Sequence, residues 1–378
     1  MLFNDFPFLL VFLPAAIGLY RLADPYPALR MPVLVALSLA FYGYGDPPFL
    51  LLLAGSILGN WLAVTAYVRF KAKLILTGAI IVNLAVLGLF KYADFVTANV
   101  GLLIGRGFQP LDLALPLGIS FFTFHHIMYL ADLRAGKAPL YTLDRYALYI
   151  SFFPQAIAGP LARWSEVMAQ FGRQVYAPGW QQRAFLGVTF IVSGLIGKIM
   201  FADRLAKLLD PIYAQATVGP VQGGDAWIAI WFSFQILYDF AGYSDIAIGL
   251  GLLFGVQLPF NFRAPLQASS IQDFWQRWHI TLMAFLRNYV FHPMVNRRVL
   301  PRRLFPLQYF GAMLTTMILC GLWHGASWTF VLWGTLHGMA LVVCALWRRF
   351  GPRLPALVGW FLTLLVVLGT GVIFRAGT

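Results

Sequence analysis

Long, continuous apolar runs recur along the whole chain, separated by short polar stretches; Phe361-Leu-Thr-Leu-Leu-Val-Val-Leu368 shows the texture. A helix that crosses a bilayer needs about 20 mostly apolar residues, because in lipid only a helix or a closed barrel satisfies its own backbone hydrogen bonds. The runs predict spanning helices at 6–23, 31–45, 48–67, 74–90, 111–130, 184–201, 226–254, 307–322, 326–347 and 356–374. Barrel strands would alternate apolar and polar residues, and these runs do not. The expected fold class is all-α: a polytopic membrane protein of about 10 or more transmembrane helices.

Two regions break the pattern. Residues 144–182 carry Pro154, Gly159, Pro160, Pro178 and Gly179, and residues 259–299 carry Pro259, Pro265 and Pro293 among many Trp, His, Asn and Arg. Broken backbone at membrane depth survives only where protein buries it or where it lines a watered cavity, so re-entrant elements are expected here. No internal repeat is visible, which counts against a transporter built from two related halves. No linker or charge run marks a second domain.

Composition agrees with this pattern. The 378 residues are 60% hydrophobic and 11% charged, too little polar surface for a soluble globule of this length. The first run, Phe6 to Ala23, lacks a basic flank and a small-residue cleavage site, so it reads as a retained helix. The net charge of +13 could suggest nucleic acid, but the basic residues are scattered through short loops and form no single stripe. Placing the N-terminus outside and alternating puts most of the 27 Lys and Arg on the cytoplasmic side, from Arg21 and Arg30 to Arg298, Arg348, Arg349 and Arg353. Both broken regions then face the cytoplasm. Cys320 and Cys344, both in apolar runs, exclude a disulfide framework and a cysteine-rich metal site. A lone Glu166 excludes paired-glutamate chemistry and His-Glu-x-x-His.

The candidate chemistry rests on six histidines: His125, His126, His279, His292, His324 and His337. For each, the competing reading is a histidine that merely hydrogen-bonds a neighbouring helix. His125-His126 superficially resembles a His-His-x-x-x-Asp motif, but Asp132 is misplaced and helical neighbours point about 100° apart, so packing is expected. Metal binding by His324 with His337 is set aside, because thirteen residues of continuous helix would separate them by about 20 Å. His324 stands out within Gly321-Leu-Trp-His-Gly-Ala-Ser-Trp328, flanked by glycines that permit close approach and by Trp323 and Trp328, which can wall a narrow cavity. In such a site the neutral imidazole is favoured and can accept a proton from a hydroxyl. Cys320, one turn earlier, reads as packing. His279 sits in Ile271-Gln-Asp-Phe-Trp-Gln-Arg-Trp-His279, where Asp273 and Arg277 lie one helical turn apart. That stretch is either an interfacial amphipathic helix or a cationic, aromatic mouth for a phosphate-bearing donor.

Several blocks together resemble the membrane-bound O-acyltransferase family, in particular the bacterial branch that contains the alginate O-acetyltransferase membrane subunit. They are Leu115-Pro-Leu-Gly-Ile-Ser-Phe-Phe-Thr-Phe124, Phe152-Phe-Pro-Gln-Ala-Ile-Ala-Gly-Pro160, Tyr238-Asp-Phe-Ala-Gly-Tyr-Ser-Asp245, Pro259-Phe-Asn-Phe262, Asp273-Phe-Trp-Gln-Arg-Trp-His279 and Gly321-Leu-Trp-His-Gly-Ala-Ser-Trp328, with Met1 to Pro14 preceding them. The resemblance implies helices around a core tunnel in the bacterial inner membrane, with His324 as the essential histidine and His279 as the second, cytoplasmic-side one. Asp273, Arg277 and Trp323 become substrate-binding candidates. No bound cofactor is implied. Acetyl-coenzyme A is the implied donor substrate, and an extracytoplasmic acetyltransferase partner or a glycan hydroxyl is the implied acceptor. Family members usually continue with further membrane segments after a Phe-Arg-Ala, so one membrane-embedded domain over 1–378, C-terminally short, is expected. The rival functions are a channel or flippase for a glycan or acyl carrier, and a lipid or protein acylase.

Overall fold

The computed structural model describes residues 2–107, 109–221, 224–297 and 299–376; Arg298, assigned above to the cytoplasmic side, lies outside them. Helices are the only regular secondary structure among the described residues. Eight of these are long and apolar enough to cross a membrane: Pro27–Gly45, Pro47–Phe70, Lys73–Ile104, Trp180–Ala216, Ala229–Leu253, Arg302–His324, Trp328–Phe350 and Ala356–Arg375. A shorter apolar helix, Phe8–Ala23, occupies the first expected run. The chain divides into two compact units, Met1–Leu195 with Tyr243–Pro259, and Ile196–Gly242 with Phe260–Thr378.

In the first unit, α1 (Leu13–Ala23), α2 (Pro27–Gly45), α3 (Pro47–Phe70) and α4 (Lys73–Ile104) follow one another with tight connections. Prolines at the N-terminal first turns of α1, α2 and α3 start those helices where a missing N–H costs nothing. Asn60 of α3 and Asn83 of α4 exchange amide hydrogen bonds of 3.2 and 2.7 Å, a polar clasp between two otherwise apolar helices. Buried Asp24 accepts from the backbone N–H groups of Val175 and Tyr176, so the broken region 144–182 is pinned where it has no ladder of its own.

The run at 111–130 departs from expectation. Residues 111–116 are non-helical, and α5 (Ile119–Arg134) begins only after Gly118, whose φ of 69° and contact with the Ala156 carbonyl leave no room for a side chain. α5 is buried on almost every face, against α4 and α6 (Leu143–Ser151). It is therefore a protein-enclosed helix and not a lipid-facing span. Hydropathy could not have separated the two, since both environments select the same side chains. The remainder of 144–182 is short helices and turns, as its prolines and glycines suggested.

The second unit contains the site. α7 (Trp180–Leu195) leads from the first unit into a π-helical turn, Ile196–Ala202, and then α8 (Asp203–Val218); α9 (Phe232–Leu253) returns. Lys198, in the π-turn, bonds both Asp203 (2.6 Å) and Asp239 (2.7 Å), so its charge is neutralised locally. The broken region 259–299 holds two short helices, α10 (Ile271–Arg277) and α11 (Ile280–Leu286). Last come α12 (Phe305–His324), α13 (Trp328–Phe350) and α14 (Ala356–Arg375). Helices α12 and α13 form a close hairpin. A Cβ on Gly321 would strike the Phe330 carbonyl, and one on Gly334 would strike the Met317 carbonyl, so both glycines are there to let the backbones meet.

Candidate active site

The site is assembled from the broken region and the hairpin. Helix α10 starts at Ser270, whose hydroxyl accepts from the Asp273 N–H (3.1 Å). The Asp273 carboxylate accepts from the Ser269 N–H and pairs with Arg277 Nε at 2.7 Å. The helix ends at Trp278 in extended conformation, and His279 then adopts left-handed backbone, φ 43° and ψ 53°, before α11 begins. Residues 261–263 run alongside as a brace: Arg263 N–H donates to the Arg277 carbonyl and Ile280 N–H to the Asn261 carbonyl, both at 2.9 Å. A bulky residue in left-handed backbone needs such support.

His279 is 1% exposed. Its Nδ1 lies 3.0 Å from Asn261 Oδ1, and the same oxygen accepts from the Thr281 N–H (3.3 Å) and hydroxyl (2.9 Å). Nε2, also buried, has no hydrogen-bond partner. Phe240 lies edge-on to the ring at 4.6 Å and Trp323 at 5.6 Å. Burial, with an electrostatic contribution from His324 as the lesser cause, drives the His279 pKa well below the ordinary imidazole value, so the ring is neutral.

His324 is the last residue of α12 and is half-buried. The chain stops being helical at Gly325, which is extended, and restarts at Trp328 with Ser327 as cap. Trp323 (4.6 Å), Phe374 (4.8 Å) and Trp333 (5.3 Å) surround the imidazole, and it lines a cavity of about 60 Å³. The other walls include Phe274, Trp275, Trp278 and His337. Such a volume has space for several water-sized groups.

His279 and His324 are thus brought together, both in contact with Trp323, as the sequence singled them out. Asp273 and Arg277 lie outside the cavity lining and are engaged with each other; their neighbours Phe274, Trp275 and Trp278 line it instead. The separation expected for His324 and His337 is corrected. That distance assumed one continuous helix, whereas the break at Gly325 folds α13 back so that both imidazoles line the same cavity. His337 Nε2 donates to Thr370 Oγ1 (2.8 Å), whose own proton goes to the Val366 carbonyl. Among the described residues no group of three or more His, Cys, Asp or Glu could hold a metal. Cys320 is buried. His292 is exposed. His126, in the first unit, uses Nδ1 on the Tyr146 hydroxyl (2.6 Å) and Nε2 on Ser56 Oγ (3.3 Å), and His125 packs edge-on to Tyr149. Asn261, Thr281 and Trp275 were missed; the signal for Asn261 was a lone amide inside Pro259-Phe-Asn-Phe262.

Residues 75–374 match the model of MBOAT, the membrane-bound O-acyltransferase family. The chain belongs to that family. It is 36% identical over 415 residues to a peptidoglycan O-acetyltransferase of Helicobacter pylori, covering 100% of this chain and 77% of that protein. A probable alginate O-acetylase, AlgI, of Pseudomonas aeruginosa is 37% identical over 389 residues, covering 100% and 72%. A teichoic acid D-alanyltransferase of Bacillus subtilis is 24% identical over 302 residues, covering 77% and 74%. The protein is therefore a multi-pass membrane acyltransferase, and the paired imidazoles of the second unit lie within the matched residues.

Proposed function

We propose that this protein takes an acetyl group from acetyl-coenzyme A on the cytoplasmic side of a bacterial inner membrane and passes it to a hydroxyl of an extracytoplasmic polysaccharide, directly or through an extracytoplasmic acetyltransferase partner. The observation that carries the reading is His324 facing a small aromatic cavity with neutral His279 close by. In the transfer, the hydroxyl oxygen bonds to the acyl carbon and the carbon–sulfur bond of the thioester breaks. His324 accepts the hydroxyl proton and returns it to the leaving thiolate. His279 assists in placing the donor. The aromatic walls, Trp275, Trp333 and Phe374 among them, exclude bulk water, which would otherwise hydrolyse the thioester. An alginate-like acceptor is favoured by the similarity to proteins named alginate O-acetylases, and the relative named for peptidoglycan keeps the acceptor class at polysaccharide.

The test is His324→Ala in cells that acetylate an extracellular glycan. Acetylation disappears at unchanged membrane abundance of the protein; normal acetylation would sink the assignment and favour a channel or flippase. Turnover of labelled acetyl-coenzyme A by purified protein, with and without glycan, separates the acetyltransferase from a lipid or protein acylase, which would prefer a longer chain.

A further inference from the structure

We propose that Asn261 is a positioning residue that locks His279 in the tautomer with its proton on Nδ1, so that Nε2 presents a lone pair to the substrate. The inference rests on the reading of this site as catalytic; the direction of the bond between Asn261 and His279 rests on geometry. The Asn261 side-chain atom facing His279 also receives the Thr281 backbone N–H, which can only donate, and the Thr281 hydroxyl. That atom is therefore the amide oxygen and not the nitrogen. An amide oxygen can only accept, so the 3.0 Å contact requires His279 Nδ1 to donate. In a neutral imidazole the second nitrogen then has no proton.

Burial keeps the ring neutral, and the buried Nε2 has no partner of its own. An unpaired acceptor in so enclosed a place is costly, and such atoms collect where a reacting or bound group completes them. The complement is a group that brings a proton: a hydroxyl, or an amide N–H such as those along the pantetheine arm of the donor. The Asn261 to Ile280 backbone bond and the left-handed turn at His279 hold the same residue from the main-chain side, so both the place and the protonation of Nε2 are set through Asn261.

The experiment is ¹⁵N nuclear magnetic resonance of histidine-labelled full-length protein in nanodiscs, with His279→Asn to assign the signal, alongside acetyl transfer from labelled acetyl-coenzyme A. In the wild type, His279 shows a protonated Nδ1 and an unprotonated Nε2. Asn261→Leu mixes or inverts that pattern and lowers transfer by about 10- to 100-fold, the range for losing a partner that orients a functional imidazole. Thr281→Val removes a bond to the same oxygen without touching the imidazole; it keeps the wild-type tautomer and loses much less activity. A protonated Nε2 in the wild type overturns the proposal, and this holds even if Asn261→Leu fails to reach the membrane. An unchanged tautomer in Asn261→Leu overturns it as well. Full transfer by His279→Asn with the stated tautomer intact would instead remove His279 from the reaction while leaving the lock in place.

Discussion

Two regions of this molecule each bury an imidazole among aromatic rings, and the pair compared, His126 and His279, differ in how many nitrogens are occupied. In the first unit, His126 uses both: Nδ1 meets the Tyr146 hydroxyl and Nε2 meets Ser56, whose own proton goes to the Leu53 carbonyl. In the second unit, His279 has one nitrogen held by Asn261 and the other without a partner, and His324 faces a cavity. Burial and aromatic company are the same, so neither marks function. His126, bonded at both nitrogens, ties helices together, whereas His279, held on its far side, leaves a nitrogen available, as its proposed role requires.

The largest effect that could break this contrast comes from His324→Ala, expected to lower acetyl transfer in proteoliposomes by about 10²- to 10⁴-fold, the span for losing a general base. His279→Asn should follow with a loss of about 10²-fold, since it removes the imidazole while suiting the backbone; wild-type turnover would place His279 with His126 as a structural residue. Gly334→Leu tests the frame that brings His324 to its cavity. Its side chain must enter the space of the Met317 carbonyl, and a destabilisation of about 2–3 kcal/mol should appear as a lowered melting temperature in detergent. The smallest effect belongs to Tyr146→Phe, about 1 kcal/mol of stability for one buried hydrogen bond, with transfer per folded molecule unchanged. A loss of transfer out of proportion to stability there would erase the distinction between the two regions.

Much of the fold was legible because lipid imposes a length and a composition on whatever crosses it, and the runs from Pro27 to Ile104 and from Phe305 to Arg375 obey both. The run at 111–130 was misread because α5 is enclosed by protein where α3 leaves most of its surface exposed, and Phe, Ile and Leu serve either. Within the site, His279 and His324 could be picked out from their settings. His337 could not, because its nearness to His324 depends on an extended Gly325 that a helical projection ignores. Asn261 was hidden for a related reason: it acts across 18 positions through a loop with no periodicity, and only the folded chain shows three donors converging on one oxygen. Asp273 and Arg277 were legible as a helical pair, which is what they form, but the same spacing could not tell a self-satisfied pair from a phosphate clamp.

The left-handed turn at His279 also limits what this position can become. Few side chains favour φ near 43°: glycine, asparagine, aspartate and histidine are over-represented there, and β-branched residues are the most disfavoured. Most substitutions there would disturb the chain's path and remove the imidazole together. Asparagine and glycine are different, since either leaves the turn intact while removing the imidazole. With His279 in its proposed role, a well-folded copy of much reduced transfer is therefore a single replacement away, and a descendant that had given up acyl transfer for binding alone would be expected to show one of those two residues at this place.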